Sequence, residues 1–488
     1  MSGEPTLTGS KPYALITLNT TSGAPVLLRA ALLLLAVAAC VAAGVALGLS
    51  YSTDALSLVL ALHRTTEVAR ERLWLTQHGT WGPRGSGNTL GEVLKVGPSI
   101  RSTVLDLMSQ PRPPALVGTS IVICHSPAGC WSTPEPDTPL FRAGESPCPR
   151  EKSAYFIGRT MWESDRLLPG WVPHLNATDE LWVPAEHTRQ LFRREGVVRP
   201  KIHLVPVIIE TDLWDPGKHS PLPLSRANLV LGSGPRVLAE KGDRPFLFFS
   251  TFTWEKRKGY DVLLRAYLEE FRVDSDGQQQ QEGQQAQQAK QQGQGHQGQR
   301  MPRPRVALLV KALPFGKEEG FNSTHRIRSW VAAELGIAAA DFSTLPPVYD
   351  FQEYLPYKVL PRLFKAADGF VFPTRGEGWG LPIVEAMSMG LPVIATNWSA
   401  PVDYLDDSVA FPLAAQGMEQ DGSQPSVQHL RRLMRQVVEH PGEARRRGQA
   451  ARVRMVTRYS PSAVGRTVAV RLKQIDQELS QRAPVPES

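Results

Sequence analysis

The stretch Phe370–Thr396, FVFPTRGEGWGLPIVEAMSMGLPVIAT, constrains this chain more than any other. It reads as a buried strand (Gly369–Phe372), a loop with glycines at 376, 378 and 380, a helix over 382–389, and a second strand (Pro392–Ala395). Pro382 stands where a helix takes its first residues, because the N–H it lacks is one that a helix start leaves unpaired. Gly390 fits the left-handed stop at the far end. The amides of Gly380 and Leu381 then point beyond the strand, where they and the helix dipole favour an anion. Glycine lets the backbone come close to that anion. The result is a phosphate cradle without a Walker lysine. Two carboxylates frame it: Glu377 in the loop, and Glu385 eight positions later, one turn into the helix. A carboxylate can accept two hydroxyl hydrogen bonds, which suits a ribose diol. Glu385 is placed for that role while the amides hold a diphosphate, and Glu377 then faces the sugar. A solvated acid in a first helical turn explains Glu385 alone, but not three glycines and a second acid together.

Two strand–helix series of this kind run along the chain. In the first, Leu73–Gln77, Thr119–Cys124, Glu180–Val183 and Lys201–Ile209 read as strands, with helices over Leu90–Met108 and Glu186–Glu195. His125 ends the Thr119–Cys124 run, at the carboxyl edge where α/β proteins place ligands. In the second, Phe246–Phe252 and Arg305–Val310 are strands, and Tyr260–Phe271 and Leu360–Ala367 helices. The expectation is two doubly wound, Rossmann-like α/β domains facing across a cleft: 54–214 on the acceptor side and 246–426 on the donor side. A Pro/Gly-rich linker, 215–245, joins them, and a helical segment, 427–488, follows. Residues 274–300 are mostly Gln and Gly, cannot bury a core, and read as a disordered insert. A length of 488 residues fits two domains plus extras, and a hydrophobic content of 42% excludes a chain disordered or polytopic throughout.

The Gly-Glu-Gly-Trp-Gly-Leu-Pro run with Glu385-Ala-Met resembles the Glu-x7-Glu motif of retaining nucleotide-sugar glycosyltransferases with the GT-B fold, the broad family of sucrose synthases and bacterial mannosyltransferases. Thr253–Leu264, TWEKRKGYDVLL, is similar to that family's Arg-Lys-Gly loop. Trp182–Val207 resembles its crossing from the first domain to the second, and Val122–Ser126, VICHS, the first-domain strand whose His lines the sugar pocket. The resemblance covers roughly residues 120–470. It implies transfer of a sugar from a nucleotide-diphosphate sugar to an acceptor hydroxyl with retention of configuration, without a metal or other cofactor. It further implies that Lys258, with Arg257, neutralises the leaving diphosphate; that Glu385 binds the donor ribose; that Glu377 contacts the donor sugar; and that His125 contacts the sugar or the incoming hydroxyl. Gly378, Gly380 and Leu381 would complete the donor site. Catalysis of this kind is electrostatic work on a leaving group. One position departs from the pattern: Phe252 stands where the family often has an arginine that grips the diphosphate.

Residues 30–53, AALLLLAVAACVAAGVALGLSYST, carry no charge and are long enough to span a bilayer as one helix. A single-pass anchor behind a short tail (1–29), in the Golgi or endoplasmic reticulum, is the expectation. A signal peptide or an organelle transit peptide are the alternatives. Net charge is +7, and arginines crowd 431–473 with only Glu439 and Glu443 against them. With Tyr459 the only interleaved aromatic, this reads as a solvated helix surface rather than a nucleic-acid site. Partners are therefore a nucleotide-sugar donor, a glycan, lipid or protein acceptor, and the membrane. Cys130 and Cys148 could form a disulfide or stay as buried thiols. Two further patterns are discounted: Asp274-Ser-Asp276, at the edge of the Gln-rich insert, and the Gly82–Gly91 loop, whose spacing is off for a dinucleotide fingerprint. A catalytically silent binding protein that kept the fold is the alternative function, and Phe252 is the feature in its favour.

Overall fold

The computed structural model describes residues 153–234, 244–272 and 305–481, except 316, 317, 319, 420 and 421, with shorter pieces at 13–19, 32–36, 57–58, 61–62, 74–78, 120–125, 128 and 131. The helix expected over 90–108, the 274–300 insert, Asp274, Asp276, the Gly82–Gly91 loop, Cys130 and Cys148 lie outside these residues. Cys124 is disulfide-bonded, to a partner also outside them.

The second sheet decides where a ligand can sit. Its strands are β8 (Asn228–Leu231), β9 (Phe246–Thr253), β10 (Val306–Leu313), β11 (Val348–Asp350), β12 (Gly369–Phe372), β13 (Val393–Thr396) and β14 (Phe411–Leu413). The order is β14-β13-β12-β9-β10-β11-β8, all parallel except β8, which pairs antiparallel with β11. From β9 onward the chain adds strands to one side and then, at β12, to the other. That is the doubly wound Rossmann order, with its switch point between β9 and β12. These two strands pair only at Gly369↔Phe248 and Phe370↔Phe249, while β9 continues against β10 as far as Thr253↔Leu313. A crevice therefore opens at the carboxyl ends of β9 and β12. The strands are continuous apolar runs because helices cover both faces. Phe248, Phe249, Leu308, Leu309, Phe370 and Val371 have no exposed surface; burying each such side chain contributes about 1.5–3 kcal/mol.

β8 falls inside the stretch read as linker. Its Asn-Leu-Val-Leu run is too short to stand out between prolines and glycines, and it becomes a strand by pairing with β11 at the sheet edge.

In the first sheet β4 (Ser120–His125), β5 (Tyr155–Arg159), β6 (Glu180–Val183) and β7 (Lys201–Leu204) are parallel neighbours in plain chain order. β1 (Tyr13–Asn19), β2 (Leu32–Ala36) and β3 (Trp74–His78) join beside β4, with β2 and β3 antiparallel to β1. This corrects the expected membrane anchor. Part of the 30–53 stretch is a strand whose backbone is paired to β1, and a segment cannot be both a strand and a continuous spanning helix. Among the described residues no helix is long and apolar enough to cross a membrane. The single-pass anchor and the secretory location inferred from it are withdrawn. The Leu-rich run pairs with the backbone of β1, a partner outside its own sequence window that hydropathy does not see.

The helices Val427–Glu439, Pro441–Arg454 and Pro461–Gln481 follow the second sheet. The last returns to the first: Arg471 grips Glu180 of β6 at 2.9 Å. Glu180 has no exposed surface and also accepts from Tyr155 and Trp182 and meets His203. Removing one partner of a buried ion pair costs about 3–5 kcal/mol. Arg471→Ala is therefore expected to lose stability of that order in urea unfolding; an unchanged midpoint would mean that the neutral donors suffice.

Candidate functional site

Two loops meet at the switch-point crevice. One leaves β9 through a single 3-10 turn, Lys256–Lys258, and ends at Gly259, which is left-handed (φ 72°) and starts the helix Tyr260–Phe271. The other leaves β12 and runs to Gly380, also left-handed (φ 94°), which starts the helix Leu381–Ser388. They touch where Gly259 packs on the Pro373 carbonyl. Arg375, buried and not singled out by the sequence, ties them: it donates to the Lys256 carbonyl at 2.7 Å and holds Asp261 bidentately at 2.8 Å. A planar guanidinium suits that fork geometry.

Lys258 and Glu377 come together. The Lys258 ammonium lies 2.6 Å from Glu377 Oε1, which also accepts the Thr374 hydroxyl at 2.9 Å. Arg257 stands 3.6 Å from the same oxygen. Burial pushes the Glu377 carboxyl up, but Lys258, then Arg257, outweigh it and hold the group below its ordinary range. The Glu377 amide donates to Ser399 Oγ at 2.9 Å. Ser399 is the one non-glycine residue with positive φ (59°) among the described residues, a conformation that persists only where the surroundings enforce it. No sequence rule flags it.

Arg257 has further protein partners in this site. Its guanidinium donates to the Gly376 carbonyl at 2.7 Å and pairs with Glu255 at 3.1 Å and with Glu163 at 3.5 Å. Glu163 follows β5 of the first sheet, so Arg257 bridges the two sheets. The glycines have a related use. A Cβ on Gly376 would come 2.5 Å from the Glu163 carbonyl oxygen, and one on Gly378 would come 3.0 Å from Met161. Both therefore make room for the first sheet's 161–163 segment. Gly380 keeps its expected place at the helix start. No side chain caps that helix, and the Gly380 and Leu381 amides have no hydrogen-bond partner among the described residues.

Glu385 stands apart from this cluster, buried on the same helix. Its partner is the Tyr357 hydroxyl, 3.3 Å from Oε1, and burial pushes its carboxyl up to about 8. His125 ends β4 in register with Arg159 of β5, on the wall that reaches the glycine loop through Met161 and Glu163. Burial, and then Arg159, hold its imidazole well below the usual range, so it is neutral. Phe252 is buried in a cluster with Trp254 and Tyr260, whose rings stack at 4.2 Å. An arginine there would have no solvent. Lys256 is exposed. Lys311, also unremarked in the sequence, is buried at the end of β10; it donates to the Glu353 carbonyl, and burial lowers its ammonium to about 8. Among the described residues no group of three or more His, Cys, Asp or Glu could hold a metal ion.

Comparison with known proteins finds similarity to glycosyltransferases. O-antigen chain mannosyltransferase B of Escherichia coli is 46% identical over 55 residues, 11% of this chain and 14% of that protein. D-inositol 3-phosphate glycosyltransferase of Nocardia farcinica is 27% identical over 213 residues, 44% of this chain and 36% of that protein. The chain thus spans well under two thirds of the length of these relatives. Among solved structures, Anabaena Alr3699/HepE in complex with UDP and glucose aligns with a TM-score of 0.44 at 12% identity, over 66% of this chain and 72% of that one. Residues 340–454, which hold Tyr357, Glu377, Glu385 and the uncapped helix start, match the family described as Glycosyl transferases group 1.

Proposed function

We propose that the chain is a glycosyltransferase that moves a hexose from a nucleoside-diphosphate sugar to an acceptor hydroxyl on a glycan, lipid or protein, with retention of configuration. The observation that carries the reading is the partly buried Lys258–Glu377 pair beside an uncapped helix start, at the switch point of a Rossmann-ordered sheet. The Gly380 and Leu381 amides and the Lys258 ammonium offer positive charge to a diphosphate, and that charge gains most as the sugar bond breaks. Glu377, kept ionised by Lys258, accepts from donor sugar hydroxyls. Glu385 accepts from the ribose. His125, neutral on the opposite wall, can accept from an incoming hydroxyl. No metal enters this reading, because lysine and amides supply the charge a metal would bring.

The test is donor turnover by the purified full chain with UDP- and GDP-hexoses, read as free nucleotide. A hydrogen bond to a charged group is worth about 1.5–3 kcal/mol, so Glu385→Ala is expected to weaken nucleotide affinity about tenfold to a hundredfold. Undiminished affinity removes the ribose role. A silent binding protein, the reading Phe252 favours, would bind nucleotide and release none.

A further inference from the structure

Glu385 does not face the donor side alone. Tyr357 Oη is 3.3 Å from Glu385 Oε1, and the Trp214 indole Nε1 is 3.0 Å from Tyr357 Oη. Trp214 has no exposed surface and sits in the segment that joins the two sheets. It packs edge-on against Tyr357 and Phe364, and its carbonyl accepts from Arg452 at 2.8 Å and from Ser388 at 3.1 Å. The chemistry fixes the direction of this relay. An indole N–H can only donate and an ionised carboxylate can only accept. Tyr357 must accept from Trp214, which leaves its single proton for Glu385.

We propose that Tyr357 is a positioning residue of the donor site: its hydroxyl, oriented by Trp214, holds Glu385 Oε1 so that Oε2 stays turned to the ribose diol. This rests on the reading of Glu385 as the ribose ligand. Oε2 has no protein partner among the described residues, consistent with a free acceptor. The same hydrogen bond is what draws the Glu385 carboxyl down against its burial, which otherwise drives it up to about 8. The charged groups facing the relay are Glu210, beside Tyr357, and Arg452, which pairs with Asp215 at 3.5 Å. The sign follows directly. The diol needs the ionised carboxylate, so nucleotide affinity rises with pH up to about 8, changing at most tenfold per pH unit. Without the Tyr357 hydroxyl the midpoint moves higher.

UDP and GDP titrated calorimetrically into the full-length wild type, Tyr357→Phe and Glu385→Gln between about pH 6 and 9 decide the matter. The phenylalanine keeps the ring packed. The expected result is a Tyr357→Phe midpoint raised by about one pH unit, affinity about tenfold weaker at neutral pH, and recovery at alkaline pH. Glu385→Gln should bind weakly with a flat profile. An unchanged Tyr357→Phe midpoint overturns the proposal and reduces Tyr357 to packing. A flat wild-type profile with a weakened Glu385→Gln overturns it too, while the ribose reading survives. No binding of either nucleotide by wild type, or full binding by Glu385→Gln, removes the donor-site reading and this proposal with it.

Discussion

A Lys258→Ala protein is expected to fold and to turn over donor about a hundredfold to a thousandfold more slowly, the scale on which one preorganised charge at a developing anion acts. Lys258 does two things in this site. On the proposed reading, it presents an ammonium to the diphosphate as negative charge builds on it. It also neutralises Glu377, whose oxygen it touches at 2.6 Å in a buried setting. Without it, Arg257 at 3.6 Å and the Thr374 hydroxyl remain, and Arg257 is already committed to the Gly376 carbonyl and Glu163. Burial then dominates and the Glu377 carboxyl rises. A group whose depression is removed loses its ionised form at higher pH, so the acid limb of turnover moves toward neutrality. Measuring kcat and KM against pH separates the two effects: the fall in kcat at alkaline pH reports the lost ammonium, and the shifted limb reports Glu377. Undiminished turnover with an unmoved limb would assign Lys258 to the surface charge of its loop.

Gly259→Ala is expected to have a large effect on stability. At φ 72° an L side chain costs about 1–2 kcal/mol. The added Cβ would also fall well inside contact with the Pro373 carbonyl oxygen, a backbone atom that no rotamer change can move. A total of about 3–5 kcal/mol is expected in urea unfolding, within the range of the severe single substitutions. Gly336 supplies the control. It has φ 64°, but nothing lies within 4 Å of its Cβ position, so Gly336→Ala should show the conformational part alone. Equal losses at the two positions would mean that the loops shift freely at Pro373. Donor affinity should fall with Gly259→Ala and hold with Gly336→Ala, because only the first separates the Lys258 loop from the Glu377 loop.

What the chain revealed before its structure was local. The Phe370–Thr396 unit was legible because an apolar run, three glycines and a proline each mark a backbone state, and strand, loop and helix fall where expected to within a residue. The switch point follows from strand order alone once the strands are known. β5 escaped notice because Gly158 interrupts its apolar run and Arg159 ends it; that glycine is there because Trp131 fills the space. β11 is three residues long, and the helix Ser323–Leu335 buries only Ser323, Ile327 and Val331. The Leu-rich stretch near the start reads as a spanning helix by hydropathy, and its strand pairing depends on a partner the window does not contain. The packing role of the glycine loop was hidden for the same reason. Gly376 and Gly378 answer Glu163 and Met161, more than two hundred residues earlier, and no local rule couples such distant positions. Tyr357 and Ser399 likewise become informative only once folding has placed Glu385 and Glu377 beside them.

The Gln-rich stretch enters the second sheet between the helix ending at Phe271 and β10 beginning at Val306. A helix that starts at the carboxyl edge of β9 runs back to the amino edge, and β10 starts from there, so both attachment points lie at the end of the sheet opposite the crevice. The free energy of closing a loop grows only logarithmically, by about 0.6 kcal/mol for each doubling of its length. A change in the length of this stretch therefore acts at the end of the sheet away from the crevice. The two attachment points of the Gln-rich stretch and the proposed donor site are thus separated by the length of a β-strand.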